Sequence, residues 1–145
     1  MLGDSDSLAR AVDIFSRAPF MMHLGVNVRA AGEGWVEAEL SLTEWMQQQD
    51  GVAHAGIGTS LADHAMGTAA YTMMEPGYTP LSVEISIRLL RPVRGDRLRC
   101  VARVIKPGRR VSSVEADVWS ETLDGSSTHV MRGNATMAVV ASETL

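Results

Sequence analysis

From Ser82 to Val140 apolar and polar residues alternate with a period of two, in four runs separated by short turn signals. In residues 82–90, Val83, Ile85, Ile87 and Leu89 oppose Ser82, Glu84, Ser86 and Arg88. In residues 97–105, Leu98, Cys100, Ala102 and Val104 oppose Arg97, Arg99 and Arg103. Val114, Ala116 and Val118 oppose Glu115 and Asp117, and Met131, Ala135, Met137 and Val139 oppose Arg132, Asn134 and Thr136. Successive side chains of a strand point to opposite faces, so each run reads as a strand with one buried face. The joints are Arg94-Gly95-Asp96, Pro107-Gly108-Arg109 and Asp124-Gly125. A parallel crossover needs a dozen or more residues, so joints this short predict antiparallel neighbours and a four-strand meander.

Upstream, Trp35 to Leu42 gives a further strand, with Val36, Ala38, Leu40 and Leu42 on one face and Glu37 and Glu39 on the other. Ser7 to Ala18 reads as a short amphipathic helix capped by Ser5 or Ser7 and ended by Pro19. The segment from Ala55 to Met74 holds one long helix, stopped by Pro76 and Gly77. One helix covering one face of an antiparallel sheet is an α+β arrangement. No repeat, low-complexity stretch or linker divides the 145 residues, which predicts one domain over 1–145. The other sheet face is only partly polar, which predicts an oligomer.

The proportions, 46% hydrophobic and 21% charged, are those of a globular protein with an ordinary core. No apolar run approaches the ~18 residues of a membrane span. The start, MLGDSDSLARAVDIF, lacks the basic-then-apolar order of a secretory signal, so the expected compartment is the cytoplasm. Cys100 is the lone cysteine, which excludes an internal disulfide and a thiolate metal cluster. The net charge of −4 argues against general nucleic-acid binding, but nine of the thirteen basic residues lie between Arg88 and Arg110 beside one acid, Asp96. Such a ribbon on an acidic chain suits a compact anionic ligand, or the solvated face of two strands.

At 100° per residue, Ile57, Leu61, Ala65 and Ala69 form a stripe of the long helix that should lie on the sheet. A second stripe, Gly56, Ser60, Asp63, Gly67, Ala70 and Met74, surrounds one carboxylate with small residues. A carboxylate in Leu61-Ala62-Asp63-His64-Ala65 is desolvated or paired, either for helix packing or for a chemical task. Residues Gly51 to Gly56 lead into the helix, whose first N–H groups and positive dipole end suit a developing oxyanion. Tip and carboxylate lie roughly 10 Å apart at 1.5 Å per residue, too far for one carbonyl to touch both. A two-fold dimer resolves this by setting one subunit's tip against the other's Asp63. His23, His54, His64 and His129 show no metal-ligand spacing, and neither a serine nucleophile elbow nor a phosphate-cradling glycine loop is present.

Gly51-x-x-His54-Ala55-Gly56-x-x-x-x-Leu61-Ala62-Asp63 resembles the G-x-x-H-G-G-x-x-x-x-L-A-D signature of the PaaI-like hotdog thioesterases. The likeness extends over most of the chain. Pro19-Phe20 through Leu24-Gly25-Val26 resembles the family's N-terminal motif, Ser82-Val83-Glu84-Ile85 with Leu90-Arg91-Pro92-Val93 its next strand, and Lys106-Pro107-Gly108-Arg109 its K-x-G-R turn. The resemblance implies a hotdog fold, an antiparallel sheet wrapped around one long central helix, assembled as homodimers or homotetramers. It also implies hydrolysis of acyl-CoA thioesters without a cofactor or metal.

Carried over by position, Asp63 is the nucleophile or general base, and the Ala55 N–H polarises the thioester carbonyl. His54 positions the carbonyl or leaving thiolate, Gln48 holds water or substrate, and Ser82 contacts the attacking water or substrate. Two positions depart from the family: Ala55 stands where it carries Gly, adding a methyl group but keeping the N–H, and Gln48 stands where Asn is commoner. Arginine binds phosphate bidentately, which makes Arg91, Lys106, Arg109 and Arg110 the candidates for the phosphates of coenzyme A. Met66, Met73 and Met74 are candidates for an acyl pocket or for core filling. The alternatives are a non-catalytic hotdog module that binds acyl-CoA or a protein, and a hotdog hydratase or dehydratase.

Overall fold

In the computed structural model, which describes residues 2–145, the chain opens with a helix α1 (Ser5–Ser16) capped by Asp4. The Asp4 carboxylate accepts the Ser7 N–H at 2.7 Å, so neither Ser5 nor Ser7 is the cap. An ionised acceptor at the positive end of a helix gains from the dipole as well as from the hydrogen bond. Pro19 does not simply end this helix. It opens a second one, α2 (Pro19–Leu24), at the position where its missing N–H has no partner to lose. Gly25 closes α2 in the left-handed conformation, φ +76°.

The sheet has six antiparallel strands: β1 (Asn27–Gly32), β2 (Trp35–Ser41), β3 (Tyr78–Leu89), β4 (Arg97–Lys106), β5 (Val111–Glu121) and β6 (Ser127–Ala141). Their order is β1-β2-β4-β5-β6-β3. The expected four-strand meander is therefore corrected to three strands, β4-β5-β6, and β3 pairs with β6 at the far edge. Residues 90–96 are not a hairpin. The Leu90 and Arg91 N–H groups both reach Val130 O, Pro92 has no N–H to give to a ladder, and Val93 O accepts from Ala53 just before the central helix. The joint crosses the mouth of the fold and ties it to the helix start.

The central helix α3 (Ala55–Tyr71) lies in the concave face of this sheet. Leu61, Ala65 and Ala69 are fully buried, as the first stripe requires, and Ala62, Met66, Thr68 and Ala70 are buried as well. A helix apolar nearly all round must be covered nearly all round, and α1 supplies the cover opposite the sheet. Met66 is thus core, not pocket lining. The helix stops at Tyr71, ahead of Pro76, where Arg10 donates to Thr72 O (3.0 Å) and Met74 O (2.8 Å) and satisfies the terminal carbonyls.

Val36, Ala38, Leu40, Leu98, Cys100, Ala102, Val114, Ala116, Val118, Met131 and Met137 fill the helix-facing side of the sheet, in agreement with the alternation read from sequence. One strand departs from it. A bulge in β3 skips Val83 between the pairs Ser82–Met137 and Glu84–Thr136. Because of it, Ser82 lies on the same face as Ile85 and Ile87, not opposite them. The two edges also differ. β1 is covered by α1, with Asp4 N–H bonded to Ala31 O, whereas β3 leaves Leu81, Val83, Ile85 and Leu89 exposed along an unpaired edge.

Candidate active site

The bulge in β3 decides where Ser82 can reach. Its Oγ donates to Asp63 Oδ1 at 2.6 Å, the shortest tie between the edge strand and the central helix. Asp63 is half-buried and Ser82 exposed, so the pair looks out from the fold along the open edge. The second Asp63 oxygen, Oδ2, has no partner within the chain among the described residues. A carboxylate so placed is oriented by one hydroxyl and free to act through its other oxygen.

At the helix start, the donors are fewer than the sequence suggested. Gly51 N–H is used by Gln48 O, Ala53 N–H by Val93 O and His54 N–H by Met46 O. His54 Nδ1 accepts the Gly56 N–H at 2.9 Å, and Ile57 N–H turns to His54 O. Ala55, the first residue of the helix, keeps an N–H with no partner among the described residues. Since Nδ1 is an acceptor, His54 is the neutral tautomer with its proton on Nε2, a second donor beside the Ala55 N–H.

Gln48, Gln49, His54, Ala55, Leu89, Leu90 and Arg91 line one cleft of about 500 Å³ at this tip. Gln48 is held in it by its own turn, where its side-chain oxygen accepts the Asp50 N–H and its backbone oxygen accepts from Gly51, φ +76°. Arg91 donates to His129 O at 2.9 Å. The structure thus brings Gln48, His54, Ala55 and Arg91 together, and Asp63 and Ser82 together, but not the two groups to each other. Asp63 lies eight residues along the helix from Ala55, about 12 Å.

The basic ribbon divides the same way. Arg97 and Arg99 pair with Glu121 at 2.8 and 2.7 Å, and Arg103 with Glu115 at 2.7 Å, on the sheet face away from the helix. The Arg99 hydrogen bond, followed by burial working the other way and then Arg97, leaves the Glu121 carboxyl below its ordinary pKa, the mark of a pair already formed. Lys106, Arg109 and Arg110 are exposed at the opposite end of the helix from Arg91. Arg109 borders a groove of about 530 Å³ with Met73, Met74 and Tyr78. Two features of the tip escaped the sequence reading. Arg94, read from sequence as a turn residue within the basic ribbon, joins Arg91, Ser120, Thr122, Ser126 and Thr128 in a hollow that continues the tip cleft. Phe20, His23 and Trp45 stand on the other side of His54. Phe20 and His23 lie in the N-terminal motif, but no motif sets them or Arg94 beside the helix tip, because that depends on which loops converge.

Cys100 is buried, and burial pushes its thiol far above the range in which a thiolate nucleophile exists at neutral pH. No group of three or more His, Cys, Asp or Glu side chains is arranged to hold a metal ion among the described residues. His64 faces away from the site, with Phe15 edge-on at 4.5 Å and Nε2 without a partner among the described residues. Burial lowers its pKa from 6.5, against a smaller opposing pull from Asp63. The unfolded chain therefore takes up this proton at a higher pH than the folded one, and stability falls as pH drops below about 6.5 toward the folded value. Melting curves between pH 7.5 and 5 should show this slope in the native protein and a flatter one in His64→Leu; equal slopes would remove His64 as its source.

The sequence pattern of the thioesterase superfamily matches residues 50–126, which span α3 and β3 to β5. A thioesterase family protein of Silicibacter pomeroyi has a crystal structure that superposes with a TM-score of 0.89 at 31% identity, covering 93% of this chain and 98% of that one. A thioesterase of Haemophilus influenzae gives 0.80 at 27% identity, over 97% of this chain and 96% of its own. In sequence, the 1,4-dihydroxy-2-naphthoyl-CoA hydrolase of Listeria monocytogenes is 25% identical over 99 residues, 68% of this chain and 80% of that protein.

Proposed function

This chain belongs to the thioesterase superfamily, a thioester hydrolase of hotdog fold, and we propose that it hydrolyses acyl-CoA with Asp63 as its catalytic carboxylate. The observation that carries this reading is the Ser82–Asp63 hydrogen bond, which a strand bulge makes possible and which leaves Asp63 Oδ2 available. An acyl-CoA relative, the naphthoyl-CoA hydrolase, supports coenzyme A as the thiol carrier.

As a general base, Asp63 Oδ2 removes a proton from water while the water oxygen bonds to the thioester carbon. The displaced electron pair moves to the carbonyl oxygen, where the Ala55 N–H and His54 Nε2–H meet the developing charge. Collapse breaks the C–S bond, and the thiolate leaves with the proton that Asp63 holds. As a nucleophile, Asp63 bonds to the carbon itself, the thiolate leaves, and water then splits the mixed anhydride. In both routes one acyl-CoA and one water give one acid and one thiol. Gln48 borders the reacting carbonyl and Ser82 fixes the carboxylate.

The roughly 12 Å between tip and carboxylate supports a site shared between two chains. The open edge of β3, twelve residues long with Leu81, Val83, Ile85 and Leu89 exposed, suits pairing with β3 of a second copy. A two-fold there lets one subunit's tip face the other's Asp63, with Arg91 from one chain and Lys106, Arg109 and Arg110 from the other around coenzyme A. Its test is release of free thiol from a panel of acyl-CoA esters by the purified protein. Turnover of at least one ester with the native protein is expected, and saturable binding of every ester without thiol release would replace hydrolysis by binding.

A further inference from the structure

Behind the Ser82–Asp63 pair stands a third side chain. Ser82 of β3 is paired across the ladder with Met137 of β6, and Met137 in turn with Ser112 of β5. Residues directly opposed in an antiparallel pair share a face of the sheet. Met137 is fully buried on the helix-facing side, so Ser82 looks toward the helix as well.

The two acceptors around the Ser82 hydroxyl are unequal. Oγ lies 2.6 Å from Asp63 Oδ1 and 3.3 Å from Met137 Sδ. One hydroxyl has one proton to give. A carboxylate at 2.6 Å takes it in a charge-assisted bond, whereas a thioether is a weak acceptor and no donor. The proton therefore goes to Asp63, and the sulfur is a neighbour that barely competes for it. What the sulfur supplies is bulk. With Sδ in contact behind it, Oγ has no room to move off the carboxylate toward the core. Met137 is 0% exposed, which leaves no space on that side for a water that would offer Ser82 another partner.

Other supports for Ser82 are thin. β3 is an edge strand, laddered on one side, and its pairing is interrupted at Val83, the residue after Ser82. Ser82 is itself exposed, and among the described residues its hydroxyl makes no hydrogen bond besides these two.

We propose that Met137 is a positioning residue of this hydrolase: its buried thioether holds the Ser82 hydroxyl against Asp63 Oδ1 and so aims Oδ2 at the reacting water or carbon. The inference rests on the hydrolase reading and adds to it a core residue that acts through Ser82. A misaimed carboxylate costs rate without costing substrate affinity, so the effect belongs in kcat and is the same for every acyl group.

The test is a double-mutant cycle, read as thiol release from acetyl-, hexanoyl- and benzoyl-CoA. Ser82→Ala should lower kcat about 10-fold on each ester the native protein cleaves. Met137→Val, which ends short of the sulfur position, should lower kcat about 5- to 20-fold with KM changed less than about twofold. Met137→Leu refills the space and should recover kcat to within about threefold of native. In the Ser82→Ala background, Met137→Val should cost less than about twofold, because the hydroxyl it positions is gone. A merely structural role for Met137 predicts the same loss in both backgrounds, and that result overturns the proposal. So does a loss in KM alone, a loss confined to one ester, or a Ser82→Ala variant as fast as native, each leaving the hydrolase reading in place. Melting temperatures show whether the variants are folded. If Met137→Val melts below the assay temperature, Met137→Gln carries the same comparison, since its amide keeps the length but competes for the Ser82 proton. Failure of both to fold overturns the proposal by making Met137 a residue of the core alone. A native protein that cleaves none of the three esters overturns both readings.

Discussion

Asp63→Asn is expected to lower kcat on the best acyl-CoA by about 10²- to 10⁴-fold with little change in KM or melting temperature. The substitution keeps the size of the side chain and keeps Oδ1 as an acceptor for Ser82 Oγ, so the 2.6 Å contact between helix and edge strand survives. What it removes is the negative charge on the partnerless oxygen. An amide takes no proton from water and attacks no thioester, so both routes stop. Because Asp63 is only half-buried, its charge is not held in place by a network that must be rebuilt, and the fold has little to lose. Steady-state release of free thiol, with circular dichroism and melting curves on the same samples, reads the two effects separately. Equal turnover by native and variant proteins would remove Asp63 from the mechanism. A large fall in melting temperature would instead recast the Ser82–Asp63 pair as a structural tie.

Much of the fold was legible in the sequence, and what was missed has physical reasons. The strand faces of β2, β4, β5 and β6 followed from alternation because each of these strands has one side on the core and one away from it. The helix stripe through Leu61, Ala65 and Ala69 followed from its period. The place of β3 did not. Short joints imply antiparallel neighbours, but residues 90–96 are stapled to Val130 and Ala53, contacts that no local pattern encodes. Ser82 was named from a family resemblance, whereas its period-two pattern set it opposite Ile85 and Ile87. A bulge leaves no signature in alternation beyond the residue it displaces, Val83. The caps behaved alike. Asp4 and Ser5 are both good caps on paper, and the one that wins is fixed by where the chain docks on Ala31.

The arginines teach a related point about charge. Nine basic residues in one segment suggested one compact anionic ligand, yet Arg97, Arg99 and Arg103 alternate to the outer sheet face and meet Glu121 and Glu115 on the next strand. Strand register, not segment charge, decides which cations are spent on neighbours. Arg91 and Arg94 at one end and Arg109 and Arg110 at the other lie outside the ladder, Lys106 is its last residue, and none of the five forms an ion pair among the described residues.

Whether the two halves of the site come from different chains can be read from activity alone. Ala55→Pro removes the N–H at the helix tip and little else, because proline is well tolerated at the first position of a helix. His54 before it, at φ −61° and ψ 135°, already has the extended conformation that a following proline requires. Ala55→Pro is expected to lower kcat about 10²- to 10³-fold, as loss of one oxyanion donor does. Alone, Asp63→Asn and Ala55→Pro are both nearly inactive. In a mixed dimer, the tip of the Asp63→Asn chain is intact and faces the intact Asp63 of the Ala55→Pro chain, which rebuilds one complete site in two. Random assortment makes half of the dimers mixed, so refolding the two variants together in equal amounts should restore about one quarter of native activity. A site closed within one chain allows no such rescue, since every chain in the mixture lacks one of its parts. Activity of the refolded mixture at the mean of the two single variants would therefore sink the shared site, and with it the role assigned to the open edge of β3.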